Sequence, residues 1–389
     1  MKSERGTLAA VAFTVVAIEL LATMPVVLAR GALHSSSTMS TTTSSTSKAT
    51  SSSSAVSTTS TSTTSSRSWL DAQLVNWKPG SVTPVMWTMT STPASYDNVF
   101  TTNSQTIQAD LTMLSQVGAQ AIRVDMGFDP FLAGNAAQIQ MDDQTVAQIR
   151  SMGKTLMLAD ASADVYRTHP INSSQFAQAW IERVYTLAQR YHPDYYIVVK
   201  EPGWYYPMMS DYPSNPAIYS PQVWQNLTIA LAETVLSVSP NTKVGISVSA
   251  DQLQYANIDQ YVYLASKIPQ ISFIGIDVYA APSDYSHASS YLATYGINGK
   301  SLWIAETWSN DGSTVYNSAN MQSDAEWAKV IYYFCQSQVH CAALSPFYTD
   351  LFAQYTATIP TDPSFFNTRT PVANEFQQII AANLAGLHV

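Results

Sequence analysis

Two patterns of apolar and polar residues alternate along residues 81–385. Short runs rich in Val, Ile and Leu are typical of buried strands, and longer segments with an apolar residue every three or four positions are typical of amphipathic helices. Strands are predicted at 81–89, 119–126, 154–159, 195–200, 243–249, 271–278, 301–305 and 341–346. Helices are predicted at 104–117, 142–152, 174–191, 222–237, 257–267, 286–295, 321–336 and 372–385. Eight strand–helix repeats predict an α/β fold, a closed (β/α)8 or TIM barrel.

A glutamate follows two of these predicted strands. The apolar run 197–199 leads to Glu201 and then to a Pro-Gly pair that stops strand pairing, and the run 301–305 leads to Glu306. Catalytic groups of α/β barrels lie at the carboxyl ends of the strands. Because the fourth and seventh strands of a closed barrel face each other, both glutamates are expected to point into one cleft.

Two carboxyl groups in one cleft suit the cleavage of a glycosidic bond. One donates a proton to the leaving oxygen and the other traps the oxocarbenium-like centre, with retention of configuration when they are about 5–5.5 Å apart. Glu201 and Glu306 are the natural pair, and their surroundings should keep one protonated and the other ionised. Arg123, near the end of the second strand, is a candidate for keeping Glu306 charged; a structural salt bridge to Asp125 or Asp160 is the alternative.

Purely structural interpretations of these residues remain open. A strand-end glutamate beside Lys200 could form a surface ion pair, which is worth less than about 1 kcal/mol. Trp204 and Trp308 could close the rim of the barrel. Asp160 and Asp277 could bind sugar hydroxyl groups, or they could cap helices and bond to the backbone.

Four motifs resemble the clan of retaining (β/α)8 glycoside hydrolases that includes cellulases, β-mannanases and endo-galactanases, of which this chain would be a divergent member. They are Ile122-Arg123-Val124 on the second strand, Glu201-Pro202 after the fourth, Gly275-Ile276-Asp277-Val278-Tyr279 on the sixth and Ala305-Glu306-Thr307-Trp308 on the seventh. The resemblance implies that Glu201 is the general acid/base and Glu306 the nucleophile. It also implies that Arg123 and Tyr279 orient Glu306.

The chain departs from the clan at two positions. Lys200 stands where the clan has an asparagine that contacts the sugar 2-hydroxyl, and Phe347 and Tyr348 are the aromatic residues nearest to the position of the usual tryptophan on the eighth strand. We expect Lys200 to make the 2-hydroxyl contact. The remaining substrate contacts are expected from Asp160, Trp204, Tyr205, Trp308 and Tyr348, the aromatic ones by stacking on sugar rings.

A hydrophobic segment and a Ser/Thr tract precede the predicted barrel. Lys2 and Arg5 stand before an apolar run at 7–29, which predicts an export segment over 1–33 that is either a cleaved signal peptide or a membrane anchor. Residues 34–68 are mostly Ser and Thr, and such a tract forms a disordered linker because it cannot bury a core. The barrel domain then covers 69–389. We expect it outside the cell, secreted or anchored to the cell surface by the first segment.

Composition narrows the partners and the environment. Charged residues make up 12% of the chain, against about 25% in typical domains, and a surface poor in ionisable groups suggests an acidic external medium. The net charge of −9 argues against a nucleic-acid partner. The six histidines have no metal-ligand spacing and the glycine patterns of nucleotide sites are missing, so no metal or organic cofactor is expected.

Cysteine and sequon positions fit an exported protein. Cys335 and Cys341 either form a small disulfide or remain two buried thiols. Asn172-Ser173-Ser174 and Asn226-Leu227-Thr228 are acceptor sequons for N-glycosylation.

These observations together predict a monomeric retaining glycoside hydrolase that acts on a β-linked polysaccharide or oligosaccharide by a two-glutamate double displacement. Two alternatives remain open from the sequence. One is a non-catalytic carbohydrate-binding or surface-layer-associated barrel, and the other is a transglycosylase.

Overall fold

A computed structural model describes residues 86–91, 104–126, 136–160, 166, 169–279, 282–308, 318–346 and 371–385. The predicted export segment (1–33), the Ser/Thr linker (34–68) and the start of the predicted domain at 69 lie outside these ranges, as does Tyr348. Within the ranges, none of the helices has both the length and the apolar composition needed to cross a bilayer.

Eight parallel strands form a closed barrel in sequence order, and the last strand pairs with the first. This confirms the predicted α/β barrel. The strands are β1 Met86–Ser91, β2 Ala121–Met126, β3 Thr155–Asp160, β4 Tyr195–Lys200, β5 Lys243–Ser249, β6 Ile271–Tyr279, β7 Ser301–Trp308 and β8 Ala343–Pro346.

Helices follow the strands along the described chain and cover the outside of the barrel. They are α1 Ser104–Val117, α2 Ala136–Ser151, α3 Ser173–Tyr191, α4 Pro221–Val238, α5 Ala256–Ser266, α6 Pro282–Thr294, α7 Ser318–Tyr333 and α8 Pro371–Ala385. Short 3-10 helices at Pro202–Met208, Pro216–Tyr219 and Ala250–Gln254 lie in the loops after β4 and β5, and a π-helix at Phe334–Val339 continues α7.

The strand β7 is longer than the sequence predicted. The apolar run ends at Ala305, but parallel pairing with β6 continues to Trp308, with Asp277 opposite Glu306. Glu306 therefore lies inside the strand rather than after it. The prediction stopped too early because it followed the apolar run, whereas pairing with β6 continues through the polar residues Glu306 and Thr307.

Local sequence signals define both ends of the helix α3. Asn172 caps its first turn by accepting a hydrogen bond from the Gln175 backbone N–H at 2.9 Å, and the Gln175 side chain accepts one from the Asn172 backbone. His192 adopts a left-handed conformation (φ 43°) directly before a proline and ends the helix. The predicted apolar face is buried against the barrel, and its members are Phe176, Trp180, Val184 and Leu187.

A layer of large side chains fills the lower part of the barrel interior. The rings of Phe273 and Trp303 stack with centroids 4.0 Å apart, within a buried cluster that includes Met157, Ile197 and Ala305. A Cβ atom at Gly245 would lie 2.3 Å from the Phe273 ring, so the glycine makes room for the aromatic layer. This layer closes the barrel and forms the floor beneath the polar residues described below.

A disulfide joins Cys335 in the π-helix to Cys341, two residues before β8. Both residues are buried. Of the two interpretations that the sequence allowed, the structure has the disulfide.

Asp142 in α2 carries a buried carboxyl group whose ionisation destabilises the fold. It is 4% exposed and accepts a hydrogen bond from Gln138 at 3.1 Å; burial, with a contribution from the neighbouring Asp143, raises its pKa from 3.8 to about 7. The stabilising contribution of the protonated form is complete below pH 3.8 and is lost as the pH rises through about 7. Asp142→Asn, which keeps the acceptor oxygen, is therefore expected to raise the free energy of unfolding by up to about 4 kcal/mol above pH 7 and to leave it unchanged near pH 3.

Denaturant unfolding of both proteins at pH 3, 5 and 8 measures this difference. Asp143→Asn is the matched control, because Asp143 is half-exposed and pairs with Arg190 at 2.6 Å. Such a surface pair contributes less than about 1 kcal/mol. A difference in the free energy of unfolding between Asp142→Asn and the wild type that does not change with pH would contradict the prediction.

Candidate active site

Both carboxylate oxygens of Glu306 are hydrogen-bonded by side chains from other strands. Oε1 lies 2.5 Å from Arg123 Nη2 on β2 and 2.7 Å from Lys200 Nζ on β4, and Oε2 accepts a hydrogen bond from the Tyr279 hydroxyl on β6 at 2.6 Å. The Glu306 side chain is 1% exposed. The closed barrel thus brings three donors from three strands onto one carboxylate.

The Asp125 carboxylate accepts hydrogen bonds from the same two cations, Arg123 and Lys200. Arg123 donates from Nε to Oδ1 at 2.6 Å and from Nη2 to Oδ2 at 2.9 Å, and Lys200 Nζ donates to Oδ2 at 3.0 Å. A further Arg123 donor, Nη1, bonds the Ala305 carbonyl at 2.7 Å. Arg123 therefore takes both of the roles considered for it, a structural salt bridge to Asp125 and a contact with Glu306.

This network keeps Glu306 ionised. Burial alone would raise its pKa, but the charges of Lys200 and Arg123 outweigh burial and hold the pKa below its ordinary value. The pKa of Asp125 is lowered against its burial by the same two cations. Burial also works against the charge of Arg123, whose pKa the carboxylates of Asp125 and Glu306 nevertheless raise. The positive charges of Arg123 and Lys200 thus neutralise the negative charges of Asp125 and Glu306 inside the barrel.

Glu201 follows β4 in an unusual backbone conformation. Its φ of 46° and ψ of 67° lie in the left-handed region, which costs a non-glycine residue on the order of 1–2 kcal/mol. Its backbone N–H donates to the Ser247 carbonyl at 2.9 Å and its own carbonyl accepts from the Trp204 N–H at 3.0 Å. These two hydrogen bonds hold the strained turn, which breaks the strand at the residue that carries the carboxyl group.

The electrostatic environment of Glu201 is opposite to that of Glu306. Burial of its carboxyl group and repulsion from Glu306 raise its pKa to about 7, with Lys200 opposing the shift and Asp251 adding to it. Glu201 is therefore protonated over the mildly acidic range in which Glu306 is ionised. Divergent pKa values in a pair of carboxyl groups identify the acid and the base of a reaction.

Asp277 is a third acid in the same space. It is fully buried on β6 opposite Glu306, and Ser247 donates to its Oδ2 at 3.2 Å. Its Oδ1 has no hydrogen-bond partner among the residues that the structure describes. Burial, Glu306 and Glu201 raise its pKa well above the ordinary value. The Asp277 side chain therefore neither caps a helix nor bonds to the backbone in the described chain, and its surroundings favour the protonated form of the carboxyl group.

The neutral state of Asp277 leads to a test. Asp277→Asn replaces a neutral acid by a neutral amide of the same size, so kcat/KM for the site's substrate should stay within about threefold and its alkaline limb should not move. Asp125→Asn is the matched control, because it removes a real anion from the Arg123 and Lys200 network and should distort the pH profile. A shift of the alkaline limb by about one pH unit in Asp277→Asn would show that Asp277 is ionised.

Two residues expected at the sugar surface have different surroundings in the structure. Tyr205 is 1% exposed and packs against Phe176, Trp180 and Trp224, so it belongs to the core between the barrel and the helices and not to a stacking surface. The sequence prediction was wrong here because three consecutive aromatics in a 3-10 helix cannot all face the solvent. Lys200 is a counterion of Glu306 and Asp125; its contact with a sugar 2-hydroxyl stays a prediction.

The other predicted contacts divide between exposed and undescribed residues. Trp204 is 57% exposed, three residues after Glu201, as a stacking surface requires. The side chains of Asp160 and Trp308 lie outside the described part of the chain, although their backbones end β3 and β7. Asp125 was considered only as a partner of Arg123. The i, i+2 spacing of the two residues on one strand, which puts both side chains on the same face, was the signal for its larger role.

Neither a protein-family profile nor a curated protein sequence matches this chain. Its structure is similar to that of a β-glucosidase from Thermotoga maritima in complex with azafagomine, with a TM-score of 0.51, 12% identity and coverage of 71% of this chain and 86% of that one. It is also similar to a GH113 β-1,4-mannanase complex, with a TM-score of 0.51, 10% identity and coverage of 78% and 99%. At these identities the likeness shows a shared α/β barrel fold.

Proposed function

We propose that this protein is a retaining glycoside hydrolase that cleaves a β-linked polysaccharide or oligosaccharide. The observation that carries the proposal is a pair of glutamates, one directly after β4 and one within β7, with opposite electrostatic surroundings. Glu306 is bound by two cations and a tyrosine hydroxyl, and the pKa of Glu201 is raised to about 7. The fold shared with a β-glucosidase and a β-1,4-mannanase adds support.

In the first step, a Glu306 oxygen forms a bond to the anomeric carbon while the glycosidic C–O bond breaks. Glu201 gives its proton to the departing oxygen, so that the leaving group departs as a neutral hydroxyl. The Glu306 charge is consumed as Glu201 becomes negative. The total charge of the buried network therefore stays constant, which suits a site that solvent cannot easily screen.

In the second step, the Glu201 carboxylate takes a proton from water, whose oxygen attacks the anomeric carbon and displaces Glu306. Two inversions give net retention. Lys200 and Arg123 assist this step, because a carboxylate with a lowered pKa is a better leaving group. Tyr279 keeps the other oxygen of Glu306 oriented in both steps.

The ion pair between Lys200 and Glu306 favours one competing proposal, a barrel that binds carbohydrate without turnover. The pair weakens Glu306 as a nucleophile because its negative charge is partly neutralised. Only a measurement of turnover separates the hydrolase from the non-catalytic barrel. A transglycosylase would use the same two chemical steps, with a sugar hydroxyl in place of water in the second.

The decisive experiment is hydrolysis of a panel of β-glucans, β-mannans, xylans and galactans between pH 3 and 7, with the anomer of the first product read by proton NMR. Release of the β-anomer supports the double displacement. Release of the α-anomer would refute retention, transfer to an added sugar without net hydrolysis would support the transglycosylase, and carbohydrate binding with no release on any substrate would support the non-catalytic barrel.

We also propose that the protein works outside the cell, in an acidic medium. The disulfide between Cys335 and Cys341 supports an oxidising compartment. The raised pKa values of Asp142 and Glu201 support low pH, because both groups favour the protonated form in the folded protein.

A further inference from the structure

Three tyrosines in the loop between β4 and α4 form a cluster that the proposed mechanism does not use. The rings of Tyr206 and Tyr212 are nearly parallel, with an interplanar angle of 11° and centroids 6.3 Å apart, and Tyr219 lies 5.0 Å from the first and 6.1 Å from the second. Tyr212 is 41% exposed although it touches both of the others. We call these three residues the tyrosine cluster.

The loop that carries the cluster is fixed to the rest of the barrel. The Asp211 carboxylate accepts hydrogen bonds from the Ser173 N–H at 3.0 Å, the Ser173 hydroxyl at 2.7 Å and the Asn215 side chain at 2.8 Å. The Ser210 N–H donates to the Ile171 carbonyl at 2.7 Å. A ring held this way loses little conformational entropy when a ligand binds, so the exposed aromatic surface is preorganised.

The surface is also uncharged. Asp211 is the only charged residue between 202 and 221, and its carboxylate is used in hydrogen bonds from Ser173 on α3 and from Asn215. What remains is aromatic rings, hydroxyl groups and amides. Such a surface complements a neutral carbohydrate, whose pyranose faces are apolar and whose rims are hydroxyl groups, and it provides no counterion for a charged ligand.

The position of the loop indicates on which side of the cleaved bond its ligand would lie. The loop starts at Glu201, and the backbone N–H of the exposed Trp204 donates to the Glu201 carbonyl. In the proposed mechanism Glu201 protonates the leaving oxygen. The loop therefore starts on the leaving-group side of the proposed cleft, and Trp204 and the tyrosine cluster follow one another along its sequence.

We propose that the tyrosine cluster is a binding subsite for neutral sugar units of the polysaccharide on its leaving-group side, with Tyr212 as the main stacking ring. The direction rests on the proposed function, but the binding of sugar does not. The substrate class is thereby narrowed to long, neutral β-linked chains such as β-glucans or β-mannans.

Isothermal titration of the full-length Glu306→Gln protein with neutral β-gluco- and β-manno-oligosaccharides of two to eight units tests the proposal. Tyr212→Ala in that background should weaken binding about fivefold or more for the longer oligosaccharides, and Tyr212→Phe should restore it because the ring is retained. Tyr185→Ala is the matched control, since Tyr185 is also 41% exposed but lies on α3 outside the loop. It should bind as the parent does.

Equal affinities of Tyr212→Ala and Tyr185→Ala for every length would overturn the subsite. So would absence of binding by a Glu306→Gln protein that thermal unfolding shows to be folded, or tighter binding of an oligouronate than of the neutral chains. The proposed function is judged separately by turnover in the wild type. Hydrolysis with an inert Tyr212 refutes only the subsite, and length-dependent binding through Tyr212 without turnover refutes only the hydrolase.

Discussion

Replacing Glu306 by glutamine is expected to lower kcat on the susceptible polysaccharide by on the order of 10⁴-fold or more. A neutral amide cannot form the glycosyl ester, so the two-step route is closed, whereas the hydrogen-bonding groups that bind sugar are retained. KM or Kd should change much less than kcat. Reducing-sugar release by the purified wild type and variant at pH 5 measures the ratio.

The position of Glu306 requires a check of folding, because glutamine leaves Arg123 and Lys200 with one carboxylate fewer inside the barrel. Removing one partner of a buried ion pair costs about 3–5 kcal/mol. Thermal unfolding shows whether the variant is folded at the assay temperature. Glu233→Gln is the control, since Glu233 is exposed on α4 and should keep wild-type activity. A folded Glu306→Gln protein that retains more than about 1% of kcat would exclude Glu306 as the nucleophile.

Replacing Glu201 by alanine is expected to reduce hydrolysis of natural glycosides about 10²–10⁴-fold, the usual contribution of a general acid. An aryl glycoside with an acidic phenol needs no proton to leave, so its first step should be affected far less and the glycosyl-enzyme should accumulate. Azide, which needs no general base, should then accelerate turnover and give a β-glycosyl azide. Steady-state kinetics with and without azide, and NMR of the product, measure both effects.

The pH dependence belongs to the same prediction. In the wild type, the protonated form of Glu201 is lost as the pH rises through about 7, so kcat/KM should fall on that limb. The acidic limb reports protonation of Glu306 and should lie below the ordinary glutamate range, because Lys200 and Arg123 overcome the effect of burial on its pKa. These limbs belong to the interacting pair and not to either residue alone. An alkaline limb that persists in Glu201→Ala would assign it to another group.

Most of the fold was predictable because it depends on local periodicity. The strand β4 and the bounds of the helix α3 were predicted to within a residue, since an apolar run and a periodic apolar face that ends at His192-Pro193 define them within a few positions of sequence. The end of β7 was not, because Glu306 to Trp308 stay in the strand through pairing with β6. Inter-strand pairing is a property of the assembled sheet.

Some features of the site are likewise visible in the sequence, whereas others depend on the tertiary structure. The glutamates after the two apolar runs and the Arg123 motif are visible in the sequence, as is the neutral, aromatic character of the loop after β4. The burial of Tyr205 was not, because which of three consecutive aromatics faces the core depends on the turn of the 3-10 helix. The rings of Phe176, Trp180 and Trp224 that surround it come from two other helices.

The sequence by itself determined that this chain forms a strand–helix barrel and that a glutamate follows the apolar run of its fourth strand and another that of its seventh. Only the tertiary structure decided their chemical states. Arg123 and Glu306 are 183 positions apart, and Lys200 and Asp125 are 75 apart, so closure of the barrel brings them within 3.0 Å of their partners. Because a pKa depends on burial and on charges at distances of a few ångströms, the opposite shifts in the pKa values of Glu201 and Glu306 follow only from the assembled barrel.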